Sequence, residues 1–250
     1  MKPKAGRARL DLLLVERGLA ETSQKAQSMI LAGEVCVDGS RVEKAGMPVR
    51  EDALIEVSSR AQKFVGRGGI KLEGALEDFA IDPSGRVCLD IGASNGGFTD
   101  CLLQHGAMRV YAVDVNTEQL DWKLRQDPRV VRIERNARDL RPEDISDVAA
   151  IVVIDVSFIS VGKVIAPANS VAARGAKFLI LIKPQFELSR EEIPPGGIVT
   201  DEKLHEKAVS AICKTAESAG LECLEVRPSR LRGAEGNQEY FLHARKKSLE

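Results

Sequence analysis

The chain has 250 residues, of which 44% are hydrophobic and 29% charged, and its formal net charge is −1 at pH 7. This length and composition allow one large domain, or one medium domain with a small attachment, and they exclude a globally disordered chain. The near-zero net charge also excludes a whole-molecule field that attracts nucleic acid, so any such attraction has to be local.

The cysteines, histidines and apolar stretches disfavour several classes of protein. The five cysteines form no CxxC pair and the three histidines adjoin no cysteine cluster, which predicts reduced core thiols and no metal site. The best candidate for a membrane span, residues 149–161, is too short and carries Asp155 in its middle. Asp11 and Glu16 interrupt the apolar part of the N-terminus, which argues against a signal peptide. We therefore expect a cytoplasmic protein with no membrane partner and no metal.

The first 57 residues predict a small unit of two helices and a few strands. An apolar stripe over residues 10–19 indicates the first helix, which Gly18 can end in the left-handed conformation. Thr22 or Ser23 can cap a second helix that runs to Ala32, with Gly33 as its stop. Short strands are predicted at 34–37, 41–42 and 53–57.

A basic segment separates this unit from the rest of the chain. Residues 1–57 hold nine basic and nine acidic side chains, and residues 72–250 hold 23 basic and 28 acidic ones. Between them, Arg60, Lys63, Arg67 and Lys71 occur without any acidic residue. We predict a linker at 60–66 between an N-terminal domain, 1–59, and a large domain, 67–250.

From residue 87 onward, apolar strands alternate with helical segments. The predicted strands begin at Val87 and continue at 109–115, 130–136, 149–155, 176–183 and 221–228. Runs this apolar are typical of strands buried on both faces of a parallel sheet. The alternation predicts an α/β fold with a doubly wound, mostly parallel, Rossmann-like sheet beside the small N-terminal α+β domain. Such sheets bind ligands beyond the carboxyl ends of their strands, where the strand order reverses.

The glycine turn "DIGASNGGF" follows the first strand of this series and precedes a helix. Gly92 permits a tight exit from the strand, and Gly96 and Gly97 allow a ligand or the following helix to approach without a Cβ in the way. Asp114 ends the next strand and is suitably placed for two ribose hydroxyls. The spacing differs from the GxGxxG of a pyrophosphate-binding turn. A nicotinamide-dependent oxidoreductase, and a plain glycine turn with a surface aspartate, remain alternatives.

The stretch "LILIKPQFE" ends an apolar strand on an ammonium group. Pro184 stops the strand and holds Lys183 in an extended conformation, which fixes the direction of the lysine. A neighbouring predicted strand ends on Asp155, so both side chains should project into the ligand cleft. Lys71, in "GRGGIKL", and Glu239, where a late strand begins, are further candidates for this cleft. The alternative is a solvated lysine at the point where a strand meets water.

The N-terminal unit resembles the αL RNA-binding motif of a small-subunit ribosomal protein, tyrosyl-tRNA synthetases and some pseudouridine synthases. The resemblance is carried by "RLD" at 9–11, by "SQKAQSMILAGEVCVDG" at 23–39 and by the closing strand. It implies that Arg9, Ser23, Lys25 and Arg41 contact RNA. The charge of the basic segment adds Arg60, Lys63 and Arg67 as further candidate contacts. The family commonly has arginine where this chain has Gln24. A helical adaptor for protein contacts is the alternative.

The glycine turn resembles the first motif of S-adenosylmethionine-dependent methyltransferases. The resemblance implies that the loop faces the amino-acid part of this cofactor, that Asp114 binds the ribose and that Asn136 lies near the adenine. The implied cofactor-binding residues are Gly92, Ala93, Ser94, Gly96, Gly97, Phe98, Asp114 and Asn136.

The four cleft candidates resemble the lysine–aspartate–lysine–glutamate tetrad of the FtsJ-like ribose 2′-O-methyltransferases. The resemblance makes Lys71, Asp155, Lys183 and Glu239 catalytic. A ribose hydroxyl is a weak acid that must lose its proton as it attacks a methyl group in line. A partly buried lysine beside another cation could accept that proton, while the carboxylates orient the lysines and balance their charge.

Taken together, nearly the whole chain resembles the TlyA family of ribosomal RNA 2′-O-methyltransferases. Further carriers are "RGGIKLEGALEDF", "DPRVVRIERNARDL", "DVSFIS", "KPQFE", "PPGGIV" and "GNQEYF". The family implies methylation of cytidine ribose in one or both ribosomal subunits, and some members are labelled haemolysins. Members can carry a tryptophan in the joint where this chain has "RAQKF" at 60–64. A non-catalytic RNA-binding or regulatory protein that keeps the cofactor cleft is the alternative, and the oligomeric state is open.

Overall fold

The computed structural model describes residues 6–31, 33–42, 44–57, 63–233 and 235–247. The chain divides into two compact units, Met1–Gln62 and Lys63–Glu250. Residues 58–62, which hold the predicted boundary at 59 and Arg60, lie outside the described residues. The predicted linker at 60–66 therefore stays a prediction.

Unit 1 is a small α+β structure with an apolar centre. Its described elements are β1 (Arg7–Arg9), α1 (Leu10–Glu16), α2 (Ser23–Leu31), β2 (Val35–Val37), β3 (Ser40–Arg41), β4 (Pro48–Arg50) and β5 (Ile55–Val57). Strand β1 pairs with β4, and β2 pairs with β3 and β5, all antiparallel. Leu10, Leu14 and Ile30 are fully buried between the two helices and the strands. The cap of α2 is Thr22, whose Oγ1 accepts a hydrogen bond from the N–H of Lys25 at 3.1 Å.

Unit 2 alternates strands and helices as the sequence predicts. Its helices are α3 (Arg67–Asp78), α4 (Gly97–Gln104), α5 (Trp122–Gln126), α6 (Gly162–Val171), α7 (Pro184–Glu187) and α8 (Glu202–Ser218). Its strands are β6 (Val87–Ile91), β7 (Arg109–Asp114), β8 (Val130–Glu134), β9 (Ala149–Ile154), β10 (Ala172–Ile182), β11 (Leu221–Pro228) and β12 (Tyr240–Lys246). Short 3-10 turns occur at Thr117–Gln119, Ala137–Asp139, Pro142–Asp144 and Arg190–Glu192.

The strands of unit 2 form one seven-stranded sheet in the order β11-β12-β10-β9-β6-β7-β8. The pairs from β8 to β10 are parallel, whereas β12 runs antiparallel to both of its neighbours. Side chains alternate across the sheet: Leu89 and Ile91 join a core with α6 and α8, and Cys88 joins a second core with α3 and α4. The sheet is therefore doubly wound and mostly parallel, as predicted. Strand order reverses between β6 and β9, which places a ligand cleft beyond the carboxyl ends of these strands.

The junction after β10 shows how the sequence aims Lys183. Strand β10 ends at Ile182, and Lys183 keeps an extended backbone with φ −114° and ψ 101°. Pro184 begins the short helix α7, where its missing N–H costs no hydrogen bond. The prediction that Pro184 stops the strand and holds Lys183 extended is confirmed.

Candidate active site

Lys183 and Asp155 meet at the carboxyl ends of two neighbouring strands. Asp155 follows β9, and its Oδ1 lies 2.5 Å from Nζ of Lys183, in an ion pair that lacks hydrogen-bond alignment. Lys183 Nζ also donates a hydrogen bond to Oγ of Ser157 at 2.8 Å. Lys183 is only 7% exposed. The alternative prediction, a solvated lysine at the point where a strand meets water, is therefore wrong.

A second lysine–carboxylate pair lies at the same edge of the sheet. Nζ of Lys71, on α3, donates to Oε2 of Glu239 at 2.5 Å, and the two residues are 9% and 2% exposed. Ile182 pairs with Tyr240 in the β10–β12 register, so Lys183 and Glu239 are the next residues at the same end of that ladder. The structure thus brings all four tetrad candidates to one edge, as two ion pairs in which both lysines and Glu239 are buried and Asp155 is partly exposed.

The glycine turn lies against the first of these pairs. Gly92 has φ +85°, and a Cβ there would lie 2.1 Å from the carbonyl oxygen of Asp155. Only glycine fits this close approach. Ser94, with φ +50°, directs its N–H to Oδ2 of Asp114 at 2.9 Å, so the turn is fastened to the end of β7.

A cleft of about 410 Å³ opens beside this turn. Gly92, Ser94, Asp114 and Asn136 line it, together with Gln119, Arg135 and the loop from Asp155 to Ile159. Oδ2 of Asp114 accepts the Ser94 bond and Oδ1 accepts from the N–H of Asn116 at 3.1 Å, which leaves each oxygen a further lone pair. Oδ1 of Asn136 accepts from the N–H of Arg138, so its amide is oriented by the 3-10 turn that follows.

The other residues of the predicted cofactor loop make close contacts inside the protein. A Cβ at Gly96 would lie 2.2 Å from a methyl group of Leu124, and one at Gly97 would lie 3.0 Å from the backbone nitrogen of Gly69. Phe98 is 3% exposed and stacks 6.2 Å from Phe241, and Ala93 is 4% exposed. These residues let α4 pack closely against α3 and α5. For Gly96 and Gly97 the sequence predicts the close approach of either a ligand or a helix, and this packing corresponds to the second role.

Two residues near the cleft escaped the sequence-based reasoning. Phe158 has φ +66°, a conformation that bulky residues rarely adopt, and is 89% exposed on the cleft wall. Asp90 on β6 is fully buried, and burial is the main reason that its pKa is raised to about 7. The hydroxyl of Thr99 donates to Oδ2 of Asp90 at 2.6 Å, while Oδ1 has no partner among the described residues. In the sequence, Asp90 is a single polar residue in an apolar strand. Only the tertiary structure shows that its carboxyl group is fully buried and that one of its oxygens has no partner among the described residues.

The RNA-contact candidates of unit 1 differ in how firmly they are held. Arg9 donates from Nε and Nη2 to the two oxygens of Asp11, at 3.1 and 2.8 Å. The hydrogen bond from Arg9 is the main reason that the pKa of Asp11 is lowered to about 2, and Gln27 supports it with a further bond. Lys25 is exposed on α2 and Ser23 half-buried at its first turn. The side chain of Arg41, like Arg60, lies outside the described residues.

The remaining basic candidates belong to unit 2. Nζ of Lys63 pairs with Oε1 of Glu73 at 2.5 Å, whereas Arg67 is exposed at the start of α3. Among the described residues no helix is long and apolar enough to span a membrane. The described part of the chain also holds no cluster of three or more histidine, cysteine or acidic residues with metal-site geometry.

Comparison with known proteins covers both units. A family model described as an FtsJ-like methyltransferase matches residues 64–246, and one described as an S4 domain matches residues 8–55. A curated relative from Mycobacterium tuberculosis, the 16S/23S rRNA (cytidine-2′-O)-methyltransferase TlyA, is 46% identical over 96% of this chain and 91% of its own length. Hemolysin A of Brachyspira hyodysenteriae is 44% identical over 94% of this chain and 98% of its own length. The solved structure of a hemolysin-named protein from Streptococcus thermophilus matches 98% of this chain and 90% of that protein, with a TM-score of 0.76 and 37% identity.

Proposed function

The chain belongs to the TlyA family of ribosomal RNA 2′-O-methyltransferases, and from this premise we propose that it methylates the ribose 2′-hydroxyl of a cytidine in ribosomal RNA. S-adenosylmethionine is the proposed methyl donor and assembled ribosomal subunits are the proposed substrate. This activity would place the protein in the cytoplasm, where subunits are found. The observation that carries the proposal is the two lysine–carboxylate pairs at one edge of the sheet, one of which includes Asp155 of the cleft lining.

The chemistry of the cleft walls suits S-adenosylmethionine. Asp114 offers two carboxylate oxygens for ribose hydroxyls, and Asn136 offers an amide for a nucleobase edge. Val115 and Ile159 supply apolar surface on the walls. We assign cofactor contact to Gly92, Ser94, Asp114 and Asn136, and a supporting role under the loop to Ala93, Gly96, Gly97 and Phe98.

The catalytic assignment rests on what the chain can do to a hydroxyl group. When bound, S-adenosylmethionine supplies an electrophilic methyl group. Nζ of Lys183 contacts Asp155 and Ser157, which line the cleft, and these two residues fix its direction. In its neutral form, Lys183 takes the proton of the attacking hydroxyl and becomes an ammonium group paired with Asp155. Lys71, which is ion-paired with Glu239, provides a positive charge at the same edge of the sheet. This charge stabilises the oxyanion that develops on the ribose. Holding the hydroxyl in line supplies much of the remaining rate.

We propose that the target nucleotide leaves its base stack as its ribose binds at this edge of the sheet. The exposed ring of Phe158 offers a surface on which an unstacked base can lie. Unit 1 supplies cationic groups for the RNA backbone, chiefly Arg9 and Lys25, with Lys63 and Arg67 contributing from unit 2. We expect these side chains to contact phosphate groups, so that they position the RNA rather than select its sequence.

The test is methyl transfer to purified small and large ribosomal subunits, each incubated with the chain and isotopically labelled S-adenosylmethionine. Nuclease digestion followed by mass spectrometry should find the label in 2′-O-methylcytidine. Label on a base would assign a different reaction. Binding of subunits without any methyl transfer would favour the non-catalytic RNA-binding alternative. A Lys183→Ala variant, assayed in parallel, gives the background level of label.

A further inference from the structure

Beyond the sheet, the segment after β9 and the segment after β10 continue side by side. The contacts occur in the same order along both segments. Lys183 meets Asp155 and Ser157, and three residues later the ring of Phe186 lies 5.4 Å from that of Phe158. This order follows from the parallel register of the two strands, in which Ile154 is paired with Ile180.

The last contact in this series is made by Glu187, the final residue of "KPQFE". Its Oε1 accepts the N–H of Val161 at 2.8 Å, and its Oε2 accepts the hydroxyl of Ser160 at 2.5 Å. Oγ of Ser160 in turn accepts the N–H of Gly162, the first residue of α6, at 3.2 Å. One carboxylate therefore fastens the turn after Lys183 to the start of α6 and to the end of the loop that begins at Asp155.

This carboxylate is partly removed from water, which is costly for a charged group. Burial raises the pKa of Glu187, while the bonds from Ser160 and Val161 lower it. The loop that it holds includes Phe158, whose left-handed backbone is strained and whose ring is 89% exposed. The contact between the rings of Phe158 and Phe186 is thus largely open to solvent. The other end of the loop is held by the hydrogen bonds to Glu187.

We propose that Glu187 is a positioning residue for methyl transfer, which rests on the function proposed above. It acts through the 155–161 loop: by fixing the end of that loop, it fixes Asp155 and Ser157, and these two residues set the direction of Lys183 Nζ. Glu187 hydrogen-bonds to Ser160 and Val161, and neither of these residues is part of the cofactor cleft lining. Its loss should therefore slow the chemical step more than it weakens binding.

The experiment compares kcat and KM of Glu187→Ala, Glu187→Gln and wild type on ribosomal subunits, well below the melting temperature of each protein. Glu187→Ala should lower kcat by at least about tenfold, as a misplaced catalytic group does, with KM for both substrates changed less than about threefold. Glu187→Gln should keep most of the activity, because its amide oxygen still accepts from Val161 and its NH₂ can donate to Oγ of Ser160. A merely structural role would lower the melting temperature without this split between kcat and KM.

A matched control is Glu192→Ala. Glu192 lies five residues further on, where it accepts from the N–H and hydroxyl of Ser189 and pairs with Lys207, without contacting the 155–161 loop. Its removal should leave kcat near the wild-type value. If Glu187→Ala folds poorly, Ser160→Ala serves as the second variant. It removes one of the two bonds to Glu187, together with the bond from the N–H of Gly162, and should give an intermediate loss of kcat.

Two results would overturn the inference: a Glu187→Ala enzyme with at least half of the wild-type kcat, or a Glu187→Gln enzyme as slow as Glu187→Ala. A wild-type enzyme that transfers no methyl group to either subunit would instead overturn the proposed function.

Discussion

Nζ of Lys183 lies 2.5 Å from Oδ1 of Asp155, at the carboxyl ends of two adjacent parallel strands. Lys71 and Glu239 form the neighbouring pair at the same edge. Each lysine thus has its own carboxylate, so either amine can carry a proton at this edge of the sheet without an uncompensated buried charge. This arrangement compensates the charge that Lys183 acquires when it accepts a proton, and it holds Nζ of Lys183 against Asp155 and Ser157 of the cleft lining.

Asp114 should be required for cofactor affinity. Replacing Asp114 by Ala removes the two oxygens proposed to bind ribose hydroxyls and also frees the N–H of Ser94 from its partner. We expect S-adenosylmethionine binding, measured by calorimetry, to weaken by roughly 1–3 kcal/mol. Asp121→Ala is the matched control, since Asp121 caps the nearby helix α5 and is not part of the cleft lining. Equal affinities for wild type and Asp114→Ala would remove Asp114 from the cofactor site.

Lys25 should act on RNA through charge alone. It is exposed on α2, and its loss should remove one phosphate contact without disturbing the fold. The slope of log affinity against log salt concentration for subunit binding should then flatten by about one unit in Lys25→Ala. Lys214→Ala, a change at an exposed position on α8, should leave the slope unchanged. The same flattening in both variants would mean that the effect is non-specific.

Asp90 should make the stability of the protein depend on pH near neutrality. Burial raises its pKa from 3.8 to about 7, so the folded state keeps this proton to higher pH than the unfolded chain does. The stability that the protonated group contributes is complete below pH 3.8 and is lost as the pH rises through about 7. Asparagine remains neutral and can still accept the Thr99 hydroxyl.

Urea unfolding of wild type and Asp90→Asn at several pH values checks this expectation. The variant should gain stability relative to wild type as the pH rises from about 4 to about 7, by on the order of a few kcal/mol, and the difference should level off above that. Asp82→Asn, at an exposed position, should show no such gain. Parallel pH profiles for wild type and Asp90→Asn would mean that Asp90 stays ionised in the folded protein.

The parts of this fold that were predictable from sequence are those set by local pattern. The apolar run before Lys183 and the proline after it define a strand end, and the structure has that end at Ile182. The place of β12 between β10 and β11 was not predictable, because it depends on pairing between segments far apart in the chain. Strands β1 and β4 were missed because their sequences, RAR and PVR, contain no apolar run that would mark a strand.

The candidate site was predictable from the sequence to a similar extent. The parts of it that were not predictable also depend on contacts between segments far apart in the chain. Lys183 and Asp155 each follow an apolar strand, so their shared edge could be expected from the residues themselves. The partnership of Lys71 with Glu239 joins residues 168 positions apart, and only the family resemblance suggested it. The roles of Phe158 and Glu187 depend on a left-handed backbone and on two side-chain contacts, and neither leaves a mark in residue type or spacing.

Lys183 should be indispensable for methyl transfer and dispensable for cofactor binding. Lys183→Ala removes the group proposed to take the hydroxyl proton, and it leaves Asp155 with 22% of its side chain exposed to solvate its charge. We expect single-turnover methylation of ribosomal subunits at saturating cofactor to slow by roughly 10²–10⁴-fold, the usual contribution of a general base. Calorimetry with S-adenosylmethionine should show an affinity close to that of the wild type, which establishes that the variant is folded.

The Lys183→Arg variant separates a base from a fixed positive charge. Arginine keeps the charge and the donors toward Asp155 and Ser157, but its guanidinium stays protonated and cannot accept a proton. If Lys183 is the base, Lys183→Arg should be nearly as slow as Lys183→Ala. The contrary result is an arginine variant that keeps more than about a tenth of the wild-type rate, which corresponds to a barrier raised by less than ~1.4 kcal/mol. It would show that Lys183 acts through its charge and that another group takes the proton. Such a result would point to Lys71, the other buried amine at this edge of the sheet.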